Sequence, residues 1–421
     1  MKRAALLLVA ALLPACAGPR LAPVQVEGRK EEILKQIKQG RADDAWRSYM
    51  NLTRDSRVRI YPLVLDSVAK ATLVQGLNAK DPATRLRAAE AIGLAERDWA
   101  FRQAIERLAD ADEHVTSAAI DLLAGMGRRG AIVFIAAHLR RGPEEVGRTP
   151  TEVEMRAAFA MAALGERSLP IAPAIAGMNS PELPVRSISA RALGEIGNLA
   201  ALPSLRYGLQ SDVEWAVQTA SAESLFKLGQ LSLVDDFALA AARSDVPERV
   251  VWAMRMRLER GRGPSVSLIL NQATYSPSPE VRAEAAVVLG RLGIGEAIPR
   301  LRDMLLHLEP QVKAAAAYAL CQMHRWGGLG IIEDATSSPD AAVRAQAIEY
   351  LASLRPGRYK AYYERLVGDR EPRVRIAALM GLRFFPYNTC IPVLAQRIGD
   401  DDQAVQFTAA ALVSRRLMEK F

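Results

Sequence analysis

The stretches VRAEAAVVLG (281–290), VKAAAAYALC (312–321), VRAQAIEYLA (343–352), VRIAALMGLR (374–383) and VQFTAAALVS (405–414) follow one another at intervals of 31 residues. Each opens on a Val with Arg, Lys or Gln behind it and continues through small residues. Five copies in one register make an internal repeat. A repeat overrides any domain number guessed from a length of 421 residues.

One period shows what the unit is made of. Ala297-Ile298-Pro299-Arg300-Leu301 and Met304-Leu305-Leu306 set apolar residues three and four apart, the spacing of one helix face. Pro299 suits a first helical turn, where its missing N–H costs nothing. Pro310 marks a break, and a second helix is expected from about Gln311 to Met323, rich in Ala, the strongest helix former. Leu202-Pro203 and Ile391-Pro392 repeat the plan. A single hairpin of this kind cannot bury its own apolar face and is stabilised by stacking on its neighbours. In Ala192-Leu193-Gly194 and Val288-Leu289-Gly290 the small residues permit close approach and the Leu fills the core.

The run Val185-Arg186-Ser187-Ile188-Ser189-Ala190-Arg191-Ala192-Leu193-Gly194-Glu195-Ile196-Gly197 resembles a HEAT repeat, of the short variety shared with phycobilisome-lyase-like proteins, and Val281 to Gly293 resembles it too. The likeness extends over about residues 81–421. It implies an all-α fold, a right-handed α-α superhelix of about eleven helical hairpins. It also implies membership of a group of scaffolds, adaptors and a few enzymes.

The N-terminus carries a different signal. Met1-Lys2-Arg3 precedes an apolar run from Ala4 to Leu13, too short to span a bilayer as a helix. Basic start, apolar core and small residues read as a secretory signal peptide over residues 1–15. Leu13-Pro14-Ala15-Cys16 resembles the lipobox of bacterial lipoproteins, although Pro14 departs from the usual residue there. The resemblance implies cleavage before Cys16 and acylation of that residue, and Ala17 implies an outer-membrane address facing the periplasm. Residues 16–29 then read as the lipidated Cys and a flexible tether. Residues 30–80 read as an N-terminal helical cap, and 81–421 as the solenoid. Extra residues around 141–150 should project at one edge.

Composition narrows the function. The formal charge of +8 falls by two once Lys2 and Arg3 leave, a moderate excess that does not mark a nucleic-acid binder. His114, His138, His307 and His324 lack metal-ligand spacing, so no metal or cofactor is expected. No nucleophile elbow, Walker loop or dinucleotide fingerprint occurs, and an enzyme is not indicated. Cys321 takes the slot that Gly290 fills one repeat earlier, which is core packing, and lies too many repeats from Cys390 for a disulfide. Asp340, before Val343-Arg344, and Glu280, before Val281-Arg282, are expected to join acid-to-Arg ladders between repeats.

Binding is therefore expected on the concave face. Counting six residues on from each marker Val gives Arg191, Glu223, Val287, Tyr318, Glu349, Met380 and Ala411, and one further turn adds Phe384. Arg191 and Glu223 make a charged end. Val287, Tyr318, Met380 and Phe384 make an apolar groove for a peptide or helix of another envelope protein. Arg255, Arg257, Arg260 and Arg262 form a second candidate, an anion-binding cluster, against the plainer reading of a helix C-terminus rich in Arg. The runner-up function, implied by the lyase-like resemblance, is an enzymatic or chromophore-handling role.

Overall fold

The computed structural model describes residues 21–58, 60–139, 148–354 and 358–418. These form an all-α chain with no strand among the described residues. Helices α1 (Pro23–Lys38), α2 (Ala42–Ser56) and α3 (Pro62–Leu77) come first. From there inner and outer helices alternate. The inner ones are α4 (Pro82–Ile92), α6 (Glu113–Gly125), α8 (Glu152–Ala163), α10 (Leu183–Ile196), α12 (Trp215–Lys227) and α14 (Pro247–Arg260). They continue as α16 (Pro279–Arg291), α18 (Pro310–Gln322), α20 (Ala341–Leu354), α22 (Pro372–Leu382) and α24 (Gln403–Met418). The outer ones are α5 (Arg97–Arg107), α7 (Ile132–Ile135), α9 (Ala172–Gly177), α11 (Leu202–Ser211) and α13 (Leu231–Ala242). The series ends with α15 (Val266–Tyr275), α17 (Ile298–Met304), α19 (Leu329–Ala335), α21 (Lys360–Leu366) and α23 (Tyr387–Arg397). The α-α superhelix of helical hairpins is thus present. Pro203 and Pro299 open their helices as expected, whereas Pro392 lies inside α23. Residues 23–29, expected as tether, are the first turns of α1. The 141–150 insertion lies largely outside the described residues.

Small residues set the spacing of the inner helices. A Cβ on Gly290 of α16 would sit 2.4 Å from the Cα of Ala319 on α18. No side chain fits there, so these two backbones pack directly. The joint between α12 and α14 is the opposite case. There Trp215, Phe237 and Trp252 stack and meet edge-on at 5.3–5.5 Å between ring centroids, and they hold the two helices apart.

The array does not run on as an open groove. Its last inner helix, α24, packs against α22 on one side and against α3 and α4 on the other. Val405, Phe407, Ala409, Ala411, Leu412 and Val413 are buried in this joint. Trp46 of α2 donates its indole N–H to the Ala395 carbonyl of α23 at 2.8 Å. Gln403 accepts from Thr84 and Arg87 at 3.1 and 3.0 Å. Glycines make the approach possible: a Cβ on Gly399 would meet the Trp46 ring, and one on Gly76 the Phe407 ring. One buried cluster includes residues from Ile33 to Val115 and from Val250 to Leu417, so the core itself crosses the joint. The ends meet, and the solenoid is a ring. Residues 30–80, expected as a terminal cap, and the final helix instead cover each other. Eleven helices about 8–10 Å apart in a circle give an axis diameter of roughly 30 Å and a lumen of roughly 20 Å.

Buried arginines lock successive repeats along one rim. Arg344 donates to the carbonyls of Ser338 and Pro339 behind it and to both carboxylate oxygens of Asp369 in the next repeat, at 2.8 and 2.7 Å. Arg85 holds Asp110 in the same way, Arg186 holds Asp212, Arg282 reaches Glu309, and Arg375 reaches Asp400. The expected ladder between repeats is thus present; Asp340 joins it through Arg373 of the next repeat at 3.8 Å, while the buried rungs use other acids. Asp340 accepts from the Ala342 amide at the start of its own helix, and each Arg pairs with an acid about 25 residues ahead. In the ring-closing joint Gln406 stands in the Arg position and donates to the Ile398 carbonyl.

Burial alone would raise the Asp110, Asp369 and Asp400 carboxyls, but guanidinium and backbone N–H donors hold all three below the usual carboxylate range. A carboxyl depressed in the folded state adds stability above its unfolded pKa of about 4 and loses it as pH falls through the folded value. Arg344→Ala is accordingly expected to cost about 3 kcal/mol near neutral pH, because Asp369 is left buried and unpaired. The deficit should shrink below pH of about 4, where Asp369 is neutral in the variant. Urea unfolding of both chains from neutral to acid pH checks this, and a deficit independent of pH would contradict it.

Candidate functional surfaces

The ring offers an inner surface and two rims. On the inner surface, surrounding protein raises the Asp121 and Glu349 carboxyls although both residues are exposed to solvent. That combination belongs to a concave wall. Several charges there are paired across neighbouring helices. Arg156 of α8 contacts Asp121 of α6 and Glu152, Lys227 of α12 contacts Glu195 of α10, and Arg255 of α14 lies 3.0 Å from Glu284 of α16. The Arg191 guanidinium is near enough to lower the Asp121 carboxyl, and Glu223 is half-buried.

The expected apolar groove is not formed. Tyr318 is only 7% exposed, stacks on Tyr350 with ring centroids 4.2 Å apart, and its hydroxyl accepts from Gln322 and Ser353. Ala411 is fully buried in the closing helix. Val287 and Met380 are half-buried against the core. Phe384 is exposed, but it follows the end of α22 in a turn beneath Arg383. Counting along one helix face picked residues that neighbouring helices cover once the ring tightens.

The proposed anion cluster is dispersed as well. Arg255 pairs with Glu284 and Arg262 with Asp235; Arg257 donates to the Gly261 carbonyl, and Arg260 lies over the Phe226 ring. The plainer reading, an α-helix C-terminus satisfied by Arg, fits these contacts.

The exposed apolar side chains lie elsewhere. Turns leading from outer to inner helices form one rim, as the arginine ladder between successive turns shows. Five consecutive turns on it carry apolar residues: Leu183, Val213, Val246, Tyr275, then Leu306 and Leu308. Val213, Tyr275, Leu306 and Leu308 are 74–90% exposed. The remaining described turns of this rim are polar, with Asp81, Asp112, Asp340 and Asp402 capping their helices. The signal for the apolar half was present in TYSPSP (274–279) and LLHLEP (305–310), ahead of the marker Val and not after it.

Among the described residues no group of His, Cys, Asp and Glu could hold a metal ion, and no helix is long and apolar enough to cross a membrane. His114 and His324 are exposed, His138 lies at the end of the turn after α7, and His307 contacts Glu309 in the apolar rim. A polar cleft of about 480 Å³ at the ring-closing joint, lined by Asp43, Lys80, Asp81 and Gln403, contains no nucleophile–base pair. Cys321 and Cys390 are free and buried. Cys16 lies outside the described residues.

A family model described as HEAT repeats matches residues 147–226 and 236–321, less than half of the chain. A search of curated proteins gave no match. Among solved structures the chain is similar to an engineered protein at 17% identity, covering 82% of this chain and 98% of the other, with a TM-score of 0.26. It is similar to the complex of CpcE and CpcF of phycocyanin lyase from Nostoc sp. PCC7120 at 20% identity, covering 74% and 93%, with a TM-score of 0.26. It is also similar to yeast importin-beta (Kap95p) at 13% identity, covering 92% and 57%, with a TM-score of 0.34. At such identities and TM-scores these likenesses carry no functional argument. The matched residues fall within the array of helical hairpins, which is an α-α superhelix.

Burial pushes the Cys321 thiol up to about 11 and raises Cys390 as well. The native chain should therefore react slowly at both thiols at pH of about 8, because the thiolate is the reactive form. A thiol-reagent time course checks this. Two thiols should appear only on unfolding, and rapid loss of either in the native chain would contradict the burial.

Proposed function

We propose that this chain is a non-catalytic protein-binding scaffold, tethered to the bacterial envelope by lipid on Cys16, whose partner docks on the apolar half of the ring's rim. The observation that carries the reading is the set of exposed apolar side chains in five consecutive turns from Leu183 to Leu308. Apolar side chains exposed singly are ordinary; a run of them aligned along one edge marks an interaction surface. A rigid rim of stacked turns presents such residues at little conformational cost on binding. The inner wall, by contrast, has several of its charges paired within the chain, and Tyr318 is buried there. A partner on the outward rim need not thread a closed ring. The N-terminal signal and the LPAC motif support the envelope address.

The test is capture of partners by cross-linking in cells, comparing the unaltered chain with Leu306→Glu/Leu308→Glu and with Arg191→Glu on the inner wall. Both substituted turn residues are highly exposed, so folding should be unaffected. Loss of the captured protein from the rim variant alone is expected. Loss from the Arg191 variant alone would move the binding surface to the lumen and contradict the rim assignment.

A further inference from the structure

The opposite rim differs in chemistry. All eleven inner helices run in the same direction around the ring, so their C-termini gather on one edge. Partial negative charge collects there, and cations are favoured beside it. The sequence places an exposed Arg or Lys at, or just past, the end of six successive inner helices, α12 to α22: Lys227, Arg260, Arg291, Arg325, Arg358 and Arg383. Elsewhere on this rim arginines are spent on helix ends: Arg97 donates to the Met126 carbonyl, Arg167 to that of Glu195 and Arg416 to that of Phe385. Arg291 and Arg325 have no acidic partner among the described residues. Lys227 contacts Glu195, while Arg260 and Arg383 lie over aromatic rings and are exposed to solvent.

The chain also enters the ring at this rim. Helix α3 begins here, because outer helices run from this edge to the apolar and acidic one. Lys30 of α1 lies over the Tyr61 ring just before α3, and Arg29 pairs with Asp55 at the end of α2. The other end of α1 leads to Ala42, whose amide donates to Gln75 near the far end of α3. Pro23 therefore lies at or beyond the basic edge. Six residues separate it from Cys16, seven Cα-to-Cα steps that reach at most about 25 Å.

We infer that the basic rim is the membrane-facing side of the ring and docks on phosphate-bearing lipid headgroups, leaving the apolar rim pointed away from the bilayer. The short reach rests on the Cys16 anchor proposed above; the charge pattern does not. Cations spread along an edge, and not gathered in a pocket, match an extended anionic surface. Attraction of this kind falls off within a Debye length, so the anchor and the charges act together only if they lie on the same side. Here they do.

The test uses the full chain expressed in a bacterial host and reconstituted in vesicles of phosphatidylcholine and phosphatidylglycerol. One cysteine at a time, Gly327→Cys on the basic rim or Leu308→Cys on the other, takes a fluorophore, with a quencher on the lipid headgroups. Quenching at Gly327→Cys but not at Leu308→Cys is expected. It should drop at least about fivefold in Arg291→Glu/Arg325→Glu/Arg383→Glu, or when salt rises from about 0.05 to about 0.5 M, while the protein stays with the vesicles. Equal quenching at both rims, or quenching indifferent to charge reversal and salt, overturns the docking inference. If the chain leaves the vesicles and its Cys16 peptide has no acyl mass, the anchor reading fails and docking is judged alone. Sedimentation with anionic over neutral vesicles by at least about tenfold, lost in the triple variant, would then uphold it, and no preference would overturn it.

Discussion

The whole structure depends on the packing of α24 between α22 and the pair α3 and α4. In an open solenoid the terminal repeats each expose an apolar face and need a polar cap. Here each end is the other's cap. Phe407 rests where Gly76 leaves room, and Trp46 where Gly399 does. Closure removes both exposed faces at once. It also couples every repeat to every other, since the first cannot shift without moving the last. A nearest-neighbour array becomes a cyclic one.

Closure also gives the molecule two chemically distinct edges. Because inner helices are parallel, acids collect at their N-termini and arginines at their C-termini, each favoured by the helix dipole. On the first edge Arg85, Arg186, Arg282, Arg344 and Arg375 cross from repeat to repeat and fix the stagger. On the second, Arg97, Arg167 and Arg416 satisfy helix carbonyls and leave neighbouring cations for solvent. The same guanidinium chemistry thus acts as an internal clamp on one rim and as surface charge on the other. Apolar residues between the acidic caps of the first rim add a surface suited to a protein, not to a lipid headgroup.

Much of the fold was legible from the sequence because the repeat states it locally. Val marker, small-residue run and Pro at a helix start each have a physical cause within one hairpin, and the structure keeps them. Cys321 in the Gly290 slot was legible for the same reason. Closure was not legible. Nothing local to Gly76 or Gly399 says that the tolerated contact comes from residues more than 300 positions away in sequence. The groove failed for a related reason: an outward position on one helix, such as Tyr318, is outward only if the next helix is not rotated onto it. The arginine ladder was half legible: acid and Arg recur together and pair between repeats, but which acids form the buried rungs, Asp369 for Arg344 among them, was not.

Closure can be tested directly by the distance between two places far apart in sequence. Asn51 of α2 and Gln396 of α23 are both exposed and line one cleft of about 450 Å³. Spin labels on Asn51→Cys and Gln396→Cys should give one short, narrow distance distribution by double electron–electron resonance, as expected for helices packed about 8–10 Å apart. A broad distribution, or one centred several helix spacings further out, would mean an open superhelix and would contradict the ring.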